Sequence, residues 1–352
     1  MSRFLASRFA SFDAYVPGEQ PSDIDYIKLN TNEAPYPPPE EIVSVVKDEL
    51  GKLNLYPNPD GSGLINKLAE FYGVKPENVI IGNGSDELLA FAFLAFFEAG
   101  VVFPDITYGF YPVYAKLYNI SYKEIPVSDD MKINVRDYIA TGRNIVLANP
   151  NAPTGIALNL NDIEEIVKSN TDCIVVIDEA YVDFGADSAV HLTQQYENLL
   201  VIHTYSKSRG MAGARLGYAI ASAPVIEDMN KMKYSFNPYN VDRLAQVMGE
   251  AGINEENYFI EKRHEVIRVR EYTEKRLQEL GFNMTDSKAN FLFARHPDIG
   301  GFEIYTKLKD IGVLVRQWNT PRISDYIRVT IGTKEQMDAL INSIKEILTE
   351  KR

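Results

Sequence analysis

The chain has 352 residues, which is long for a single hydrophobic core and favours about two domains. Its composition, with 45% hydrophobic and 24% charged residues, is typical of a soluble globular protein, and its net charge of −13 argues against nucleic acid as the main partner. The single cysteine, Cys173, excludes a disulfide framework and fits a reducing, cytoplasmic setting, while the histidines are too scattered along the chain to suggest a metal site.

The N-terminal segment, residues 1–40, is not expected to fold alone. Residues 1–10 lack the extended apolar core of a signal peptide. Residues 34–39 form a proline-rich turn, and the segment as a whole has little hydrophobic periodicity. We expect it to pack on a smaller C-terminal domain, and we expect helices at 40–50 and 62–72 to begin a larger domain.

The middle of the chain alternates between short apolar runs and segments with a helical pattern. The helix predicted at 85–97 contains an apolar run at 88–97 that is far shorter than the roughly 20 residues that span a membrane, so we expect a buried helix and no membrane partner. The other apolar runs are continuous, which is typical of parallel strands covered on both faces. We therefore predict an α/β fold with a mostly parallel central sheet flanked by helices. Its strands are predicted at 101–103, 145–148, 173–177, 199–202 and 217–221, with further helices at 162–169 and 241–251.

A long charged helix, predicted at 255–280, marks a change in the pattern of the chain. After it the sequence predicts a strand at 290–294, a helix near 302–311, strands near 313–316 and 326–331, and a last helix at 334–350. This order predicts a smaller α/β domain at the C-terminus. The predicted divisions are residues 1–40 for the N-terminal segment, 41–255 for the large domain and 256–352 for the small domain.

Lys207 lies in a segment whose polar residues suit the binding of a phosphorylated aldehyde. It follows the strand predicted at 199–202, with hydroxyl groups just before it at Thr204 and Ser206 and a guanidinium further along at Arg215. A lysine can hold an aldehyde cofactor as a Schiff base, while hydroxyls and an arginine can hold the phosphate of that cofactor. Taken alone, a lysine in a loop of this composition is far more often a solvated surface residue; the other motifs favour the catalytic interpretation.

Two further polar residues follow a predicted strand. Asp178 ends the apolar run 173–177, and ligands of open parallel sheets bind at the carboxyl ends of the strands. A carboxylate there can pair with the nitrogen of a pyridine ring, and the hydroxyl of Tyr181 could reach the phenolic oxygen of the same ring. A helix N-cap for Asp178 and a core position for Tyr181 are the structural alternatives.

The start of the predicted buried helix is a second candidate phosphate site. Gly84, Ser85 and Asp86 stand there, and the free backbone N–H groups of a helix start bind anions. A serine-capped turn explains the same residues without a ligand. Tyr108 follows the strand at 101–103 and could stack on a ring, although a single tyrosine among 21 is a weak signal.

Together these residues resemble the fold-type-I pyridoxal-phosphate-dependent aminotransferases, over residues 28–332, and within them the histidinol-phosphate branch. The resemblance implies a transferase of histidine biosynthesis that uses pyridoxal 5′-phosphate and forms an obligate homodimer with composite active sites. The supporting segments are Leu29-Asn30-Thr31-Asn32-Glu33-Ala34-Pro35, Leu55-Tyr56-Pro57-Asn58-Pro59, Asn149-Pro150-Asn151-Ala152-Pro153-Thr154-Gly155, Asp178-Glu179-Ala180-Tyr181 and Arg328-Val329-Thr330-Ile331-Gly332.

The resemblance implies a role for each matching residue near the cofactor. Lys207 would form the Schiff base, Asp178 would pair with the ring nitrogen, and Tyr181 would bond the phenolic oxygen. Tyr108 would stack on the ring, and Tyr56 would reach the cofactor phosphate of the neighbouring subunit. The residues implied around the phosphate from the same subunit are Gly84, Ser85, Asp86, Thr204, Ser206 and Arg215.

The chain departs from the family at one position. In the family pattern Asn-Pro-x-Asn-Pro-Thr-Gly the second asparagine bonds the phenolic oxygen, but this position is Ala152, which has no hydrogen-bond donor in its side chain. The asparagine stands one residue earlier, at Asn151. We expect Asn151 to lie near the phenolic oxygen through a local backbone shift; the alternative is that Tyr181 and a water carry this contact.

The resemblance also implies the residues that bind the substrate. Arg316 and Arg328 lie at short predicted strands, and the planar guanidinium group suits carboxylate or phosphate, although surface arginines are the plain alternative. In the family the position of Arg328 binds the α-carboxylate of glutamate, and in the histidinol-phosphate branch it also helps to hold the substrate phosphate, with Arg316 beside it. Tyr15, Asn32 and Asn290 match further substrate positions.

The implied reaction is histidinol phosphate plus 2-oxoglutarate giving imidazole-acetol phosphate plus glutamate. Three alternatives stay open: an aromatic-amino-acid aminotransferase, a lyase that decarboxylates threonine phosphate, and a catalytically silent regulatory or binding protein. Rates with phenylalanine distinguish the first, and release of carbon dioxide distinguishes the second. The intact set from Lys207 to Arg215 argues against the third.

Overall fold

The computed structural model describes residues 2–10, 12–22 and 24–350 of the chain. Its helices are α1 (Glu40–Glu49), α2 (Ser62–Tyr72), α3 (Gly84–Phe96), α4 (Phe110–Leu117), α5 (Leu160–Ser169), α6 (Ala223–Phe236), α7 (Arg243–Asn254), α8 (Glu256–Glu279), α9 (Gly301–Asp310) and α10 (Lys334–Glu350). Its strands are β1 (Ile27–Lys28), β2 (Val79–Asn83), β3 (Val101–Pro104), β4 (Tyr122–Ile125), β5 (Asn144–Ala148), β6 (Val175–Asp178), β7 (Leu199–Thr204), β8 (Leu216–Ala221), β9 (Asn283–Met284), β10 (Phe291–Arg295), β11 (Val313–Leu314), β12 (Arg316–Gln317) and β13 (Tyr326–Thr330).

The central sheet has the strand order β2-β8-β7-β6-β5-β3-β4. All neighbours from β7 to β4 pair in parallel, and β8 runs antiparallel to both β7 and β2. Each face of the sheet is covered: Val175 and Ile177 pack into one hydrophobic cluster with Ile163 of α5, and Val176 packs into the other with Leu88 of α3. Burial on both faces explains the continuous apolar runs. The predicted α/β fold with a mostly parallel, helix-flanked sheet is confirmed.

The direction of β8 places the Lys207 segment. A parallel neighbour of β7 would need a long crossover, but the chain returns through the short loop 205–215 and enters β8 antiparallel. The loop therefore stays at the carboxyl ends of β5, β6 and β7. An apolar run looks the same in either strand direction, so the sequence could not predict this reversal.

A second sheet, with the order β12-β13-β10-β9, is antiparallel and has its own core. Leu292, Val329 and Leu340 belong to that core, and so does Leu29 from the N-terminal part of the chain. Strand β1 pairs in parallel with β11, which ties this N-terminal part to the C-terminal part. The predicted domain boundaries remain a prediction. In the part of the chain that the structure describes, no helix is long and apolar enough to cross a membrane.

Candidate active site

A cavity of about 280 Å³ opens at the carboxyl ends of β5, β6 and β7, and we call it the aspartate cavity. Asp178 is the last residue of β6 and Thr204 is the last residue of β7. The geometry of an open parallel sheet delivers these polar groups from buried strands to one edge. The cavity is lined by Thr31, Glu33, Ser85, Asp86, Tyr108, Ala148, Ala152, Asp178, Ala180, Tyr181, Thr204, Ser206, Lys207, Ala212 and Arg215.

Asp178 is a buried carboxylate, with 4% of its surface exposed. Burial raises its pKa from 3.8 to about 6, and two hydrogen bonds oppose that rise. The hydroxyl of Tyr111 donates to Oδ2 at 3.0 Å, and the backbone N–H of Ala180 donates to Oδ1 at 3.2 Å. The carboxylate is therefore mostly ionised at neutral pH, and a cation placed beside it would be strongly stabilised.

Lys207 presents its amine to the same cavity. The Nζ atom donates to the backbone oxygen of Thr31 at 3.2 Å and lies 5.8 Å from the centroid of the Tyr181 ring. No carboxylate forms an ion pair with this amine within the described residues. An amine held in this way by a single neutral acceptor is available to react with a ligand in the cavity.

One end of the aspartate cavity is built to hold an anion. The N-terminus of α3 opens towards it, and the hydroxyls of Thr204 and Ser206 lie 3.0 Å apart. Arg215 has a left-handed backbone with a φ of 49°, and its Nη1 lies 3.4 Å from Ser206 Oγ. Such a conformation is rare for a residue other than glycine and recurs at functional sites.

Two glycines make this anion site possible. Gly84 has a φ of 78°, and a Cβ on it would lie 2.5 Å from Nη2 of Arg215. A Cβ on Gly217 would lie 2.5 Å from the backbone nitrogen of Ser85. Side chains at these positions would displace the guanidinium group and the start of α3.

Tyr108 stands at the boundary of the aspartate cavity. Its hydroxyl donates to Oδ1 of Asp86 at 2.7 Å, and burial, together with that carboxylate, raises its pKa well above 10. Asp86 Oδ2 also lies 3.4 Å from Nη2 of Arg215. The tyrosine ring is therefore fixed in orientation at the cavity wall, with its hydroxyl protonated.

A second cavity, of about 350 Å³, adjoins the first, and we call it the arginine cavity. The two cavities share Thr31, Tyr108, Ala152, Tyr181 and Lys207 as lining residues. The Lys207 amine therefore stands where the two spaces meet. A ligand could contact this amine from either side.

Two arginines define the arginine cavity. Arg316 of β12 and Arg328 of β13 are direct cross-strand partners, an arrangement that is destabilising for like charges. Arg328 donates from Nη2 to the backbone oxygen of Asn30 at 2.9 Å, and both guanidinium groups lie over the ring of Trp318, at 5.7 and 5.3 Å. Neither arginine pairs with a carboxylate in the described parts of the chain. This repulsive pair suits the binding of an anion.

Asp105, a carboxylate on the wall of the arginine cavity, does not neutralise the positive charge of Arg316 and Arg328. Asp105 lines the cavity, but its Oδ2 pairs with Nη1 of Arg322 at 2.6 Å. Tyr15 also lines this cavity; it stacks on Phe110 with ring centroids 4.1 Å apart, and burial raises the pKa of Tyr15. The cavity therefore combines an aromatic lining with two guanidinium groups that have no carboxylate partner in the described residues.

Most of the predicted site residues meet at these two cavities. The aspartate cavity is lined by the predicted residues Lys207, Asp178, Tyr181, Tyr108, Ser85, Asp86, Thr204, Ser206 and Arg215, and the arginine cavity is lined by the predicted residues Tyr15, Asn32, Arg316 and Arg328. Gly84 lies behind Arg215, as described above. Asn290 lines neither cavity; its Nδ2 donates to the backbone oxygen of Asn32 at 3.1 Å.

Asn151 and Tyr56 stand apart from the cavities. Asn151 is not brought to the phenolic-oxygen position: its Nδ2 donates to the backbone oxygen of Ile106 at 2.9 Å, and its Oδ1 accepts from Thr107 at 2.7 Å. Ala152 lines the cavity instead. The expectation that a local backbone shift brings Asn151 to this position is therefore wrong. Tyr56 is 76% exposed and stacks on Tyr239, with ring centroids 4.5 Å apart.

Sequence reasoning missed three residues that shape the site. Tyr111 bonds Asp178 across 67 positions of sequence, and nothing distinguishes it among 21 tyrosines. Trp318 carried a usable signal, since it is the only tryptophan and stands two positions after Arg316. Asn30, whose backbone oxygen accepts from Arg328, lies in segment 29–35, which supports the family resemblance.

Comparison with known proteins decides the family. Residues 24–344 match the family model described as Aminotransferase class I and II. The chain belongs to this family. A histidinol-phosphate aminotransferase from Brachyspira hyodysenteriae is 48% identical and aligns over 99% of each chain. One from Marinomonas sp. (strain MWYL1) is 50% identical and aligns over 99% of this chain and 100% of its own.

A solved structure shares the fold of this aminotransferase. Histidinol-phosphate aminotransferase from Sinorhizobium meliloti, in complex with pyridoxal-5′-phosphate, has a TM-score of 0.86 at 22% identity, covering 92% of this chain and 91% of that chain. The comparisons confirm the predicted family, the fold type and the dependence on pyridoxal 5′-phosphate.

Proposed function

We propose that this aminotransferase moves the amino group of histidinol phosphate to 2-oxoglutarate, giving imidazole-acetol phosphate and glutamate. The observation that carries the proposal is the facing pair Arg316 and Arg328, which has no carboxylate partner in the described residues. A phosphate monoester carries up to two negative charges and three acceptor oxygens, so it suits two adjacent guanidinium groups. The names of the full-length relatives support the same substrate.

When bound, pyridoxal 5′-phosphate supplies a protonated pyridine ring that withdraws electrons from the carbon next to the substrate's amine nitrogen. The aspartate cavity fits this group. Asp178 is a buried anion suited to the ring nitrogen, and Lys207 is an amine suited to the aldehyde. The α3 N-terminus, with Ser206 and Arg215, is suited to the phosphate, and a Cβ at Gly84 would fill that space.

The side chains around the two cavities would each have a separate role in the reaction. The Lys207 amine would hold the cofactor aldehyde, and as a free amine at the junction of the two cavities it would move a proton at the substrate Cα. Asp178 would keep the proton on the ring nitrogen, because a nearby anion stabilises the charged form. Arg316 and Arg328 fix the anionic end of the substrate in the adjoining cavity, which holds the Cα beside the amine.

A substrate panel tests this proposal. With 2-oxoglutarate as the acceptor, histidinol phosphate should give the highest kcat/KM. Phenylalanine and tyrosine lack the phosphate, and the loss of its charge-assisted hydrogen bonds should lower kcat/KM by roughly 10- to 100-fold. An equal or higher kcat/KM for phenylalanine would contradict the assignment. Release of carbon dioxide from threonine phosphate would indicate a decarboxylase instead.

One observation keeps an aromatic-amino-acid aminotransferase as a second candidate. Tyr15, Tyr108 and Trp318 line the arginine cavity. Their rings suit the benzene ring of phenylalanine as well as the imidazole of histidinol phosphate, since both are flat and partly apolar. The aromatic lining therefore does not discriminate between the two substrates, whereas the paired arginines favour the phosphate.

We also propose a homodimer with composite active sites. Tyr56 is exposed, and exposed apolar side chains that lie together in a patch indicate an interaction surface. Apolar side chains near it in sequence, or in contact with it, are exposed as well. These side chains, at least 41% exposed, are Leu50, Leu53, Leu55 and Tyr239. We propose that this patch is buried against a second copy and that Tyr56 there contacts the partner's phosphate site.

Mixed dimers test this arrangement. A Lys207→Ala subunit lacks the amine but keeps Tyr56, and a Tyr56→Phe subunit has the opposite defect. If Tyr56 serves the partner's site, a mixed dimer contains one site with both groups intact, and the cofactor affinity of that site should equal the wild-type value. An affinity equal to that of Tyr56→Phe alone would contradict composite sites. A monomeric mass in sedimentation at micromolar concentration would overturn the dimer itself.

We further propose that the enzyme works in the cytoplasm. The sequence contains one cysteine, Cys173, which is a free thiol in the structure. Burial raises the pKa of this thiol, so little reactive thiolate is present at neutral pH. These features suit a reducing compartment.

A further inference from the structure

Asn32 has an unusual backbone for a buried residue. It is 1% exposed, and its φ of 54° lies in the left-handed region, which asparagine tolerates better than most residues but still at a cost. Such a conformation persists when the surroundings fix the residue from several sides. Two hydrogen bonds hold this backbone in place. The N–H of Asn32 donates to Thr330, the last residue of β13, and Asn290, which precedes β10, donates to the backbone oxygen of Asn32.

The hydrogen bonds of Asn32 determine which way its side-chain amide faces. Its backbone N–H can only donate, so Thr330 Oγ1 accepts there, at 3.0 Å. The hydrogen of that hydroxyl is then directed to Oδ1 of Asn32, also at 3.0 Å. The amide Nδ2 is left to donate to the hydroxyl oxygen of Tyr181, at 2.9 Å. The reverse orientation of the amide would leave the hydroxyl hydrogen of Thr330 without an acceptor in the described residues, so the observed orientation is the one that satisfies every donor.

The same chain fixes the hydroxyl proton of Tyr181. Because the oxygen accepts from Asn32, its own hydrogen remains for another acceptor, and no hydrogen bond donated by Tyr181 is found within the described part of the chain. The ring is held edge-to-face against Phe291, with centroids 5.1 Å apart at 89°. Tyr181 lines the aspartate cavity, so this proton is available to a ligand there.

The residues beside Tyr181 cannot replace the hydrogen bond that its hydroxyl proton can donate. Ala152 lines both cavities beside Tyr181 but has no polar side-chain atom. The side chain of its neighbour Asn151 is fully engaged with Ile106, Thr107 and Thr154. Neither residue can supply a side-chain hydrogen bond to a ligand atom in front of Tyr181.

We propose that Asn32 is a positioning residue that turns the hydroxyl proton of Tyr181 towards the phenolic oxygen of the bound cofactor, a contact that Ala152 cannot share. This inference rests on the proposed function, since it assumes that the cofactor is linked to Lys207. A donated hydrogen bond stabilises the ionised phenolic oxygen and so lowers the pH at which the lysine–cofactor linkage loses its proton. The visible absorbance of the holoenzyme reports that pH.

The test is a double-mutant cycle on this titration. Asn32→Gly removes the amide but keeps the left-handed backbone accessible, and Tyr181→Phe removes the hydroxyl but keeps the ring. Each should move the midpoint of the absorbance titration upwards by roughly 0.4 to 1 pH unit, the equivalent of one hydrogen bond. In the double variant the shift should equal that of Tyr181→Phe alone, because Asn32 acts only through that hydroxyl.

A midpoint for Asn32→Gly equal to the wild-type value, or shifts that add in the double variant, would overturn the proposal. If Asn32→Gly does not fold, Asn32→Asp is used instead, because it keeps the size of the side chain and the acceptor for Thr330 but removes the N–H donor to Tyr181. Its shift of the titration midpoint should be larger in the wild-type background than in the Tyr181→Phe background. Asn170→Ser is the matched control, since Asn170 is also buried but lines neither cavity and donates to the backbone oxygens of Tyr138 and Ile166, and it should leave the titration unchanged. Failure of the proposed function is distinct: the wild-type absorbance would then be unaffected by Lys207→Ala.

Discussion

Asp178 should lower the stability of the cofactor-free protein, and its removal should therefore stabilise the fold. The pKa of this carboxyl is raised from 3.8 to about 6 by burial, so the folded chain holds a proton that the unfolded chain has already lost over that pH range. Stability consequently falls as the pH rises from about 4 to about 6 and stays low above it. The rise from 3.8 to about 6 corresponds to about 3 kcal/mol at pH 7 to 8.

Asp178→Asn removes this cost while keeping both neighbouring hydrogen bonds. The amide oxygen can accept from the backbone of Ala180, and the amide nitrogen can donate to Tyr111, whose hydroxyl can accept as well as donate. For a chain of this length, about 3 kcal/mol should raise the Tm of the apoprotein by roughly 4 °C at pH 8. At pH 5 the gain should be roughly half as large, because the wild-type carboxyl is then mostly protonated.

Thermal unfolding of both apoproteins, followed by circular dichroism between pH 5 and 8 at one protein concentration, measures this effect. The variant should also lose turnover, because an amide cannot stabilise a protonated ring nitrogen. The reasoning would be refuted by a Tm difference that does not change with pH, or by a variant that is less stable than the wild type at pH 8.

Three further predictions follow from the two cavities. Gly84→Ala should weaken cofactor binding to the apoenzyme at least about tenfold, because the new methyl group would lie 2.5 Å from Nη2 of Arg215 at a φ of 78°; an unchanged Kd in a fluorescence titration would contradict this. Arg316→Gln should lower kcat/KM for histidinol phosphate by roughly 10- to 100-fold and affect phenylalanine much less, and steady-state kinetics with equal losses would count against a phosphate contact. Lys207→Ala should abolish both turnover and the visible absorbance of the bound cofactor, and retained activity would exclude this lysine.

The fold could be predicted as far as local patterns determine it. Continuous apolar runs indicated the buried strands that became β3, β5, β6 and β7. Helix α4 was missed because it is short and contains Pro112, and β2 was missed because its run is interrupted by Gly82. The antiparallel direction of β8 depends on how the chain returns across the sheet, which no local pattern records.

The site could be predicted where function places polar residues at strand ends. Asp178 and Thr204 end β6 and β7, so their meeting follows from the parallel sheet alone. The contact of Tyr111 with Asp178 and that of Asn32 with Tyr181 join residues distant in sequence, and each involves a residue type that is common in the chain. The orientation of Asn151 depends on its partners Thr107 and Ile106, which only tertiary packing brings near it.

The central claim is that the amine of Lys207 carries the cofactor, and peptide mapping tests it most directly. The holoenzyme would be treated with borohydride, which converts a lysine–aldehyde linkage into a stable amine, and then digested and analysed by mass spectrometry. The account predicts the mass of reduced pyridoxal phosphate on the peptide that contains Lys207, and on no peptide from Lys207→Ala. The same mass on a different lysine, or an unmodified Lys207 in enzyme that is active and saturated with cofactor, would contradict it.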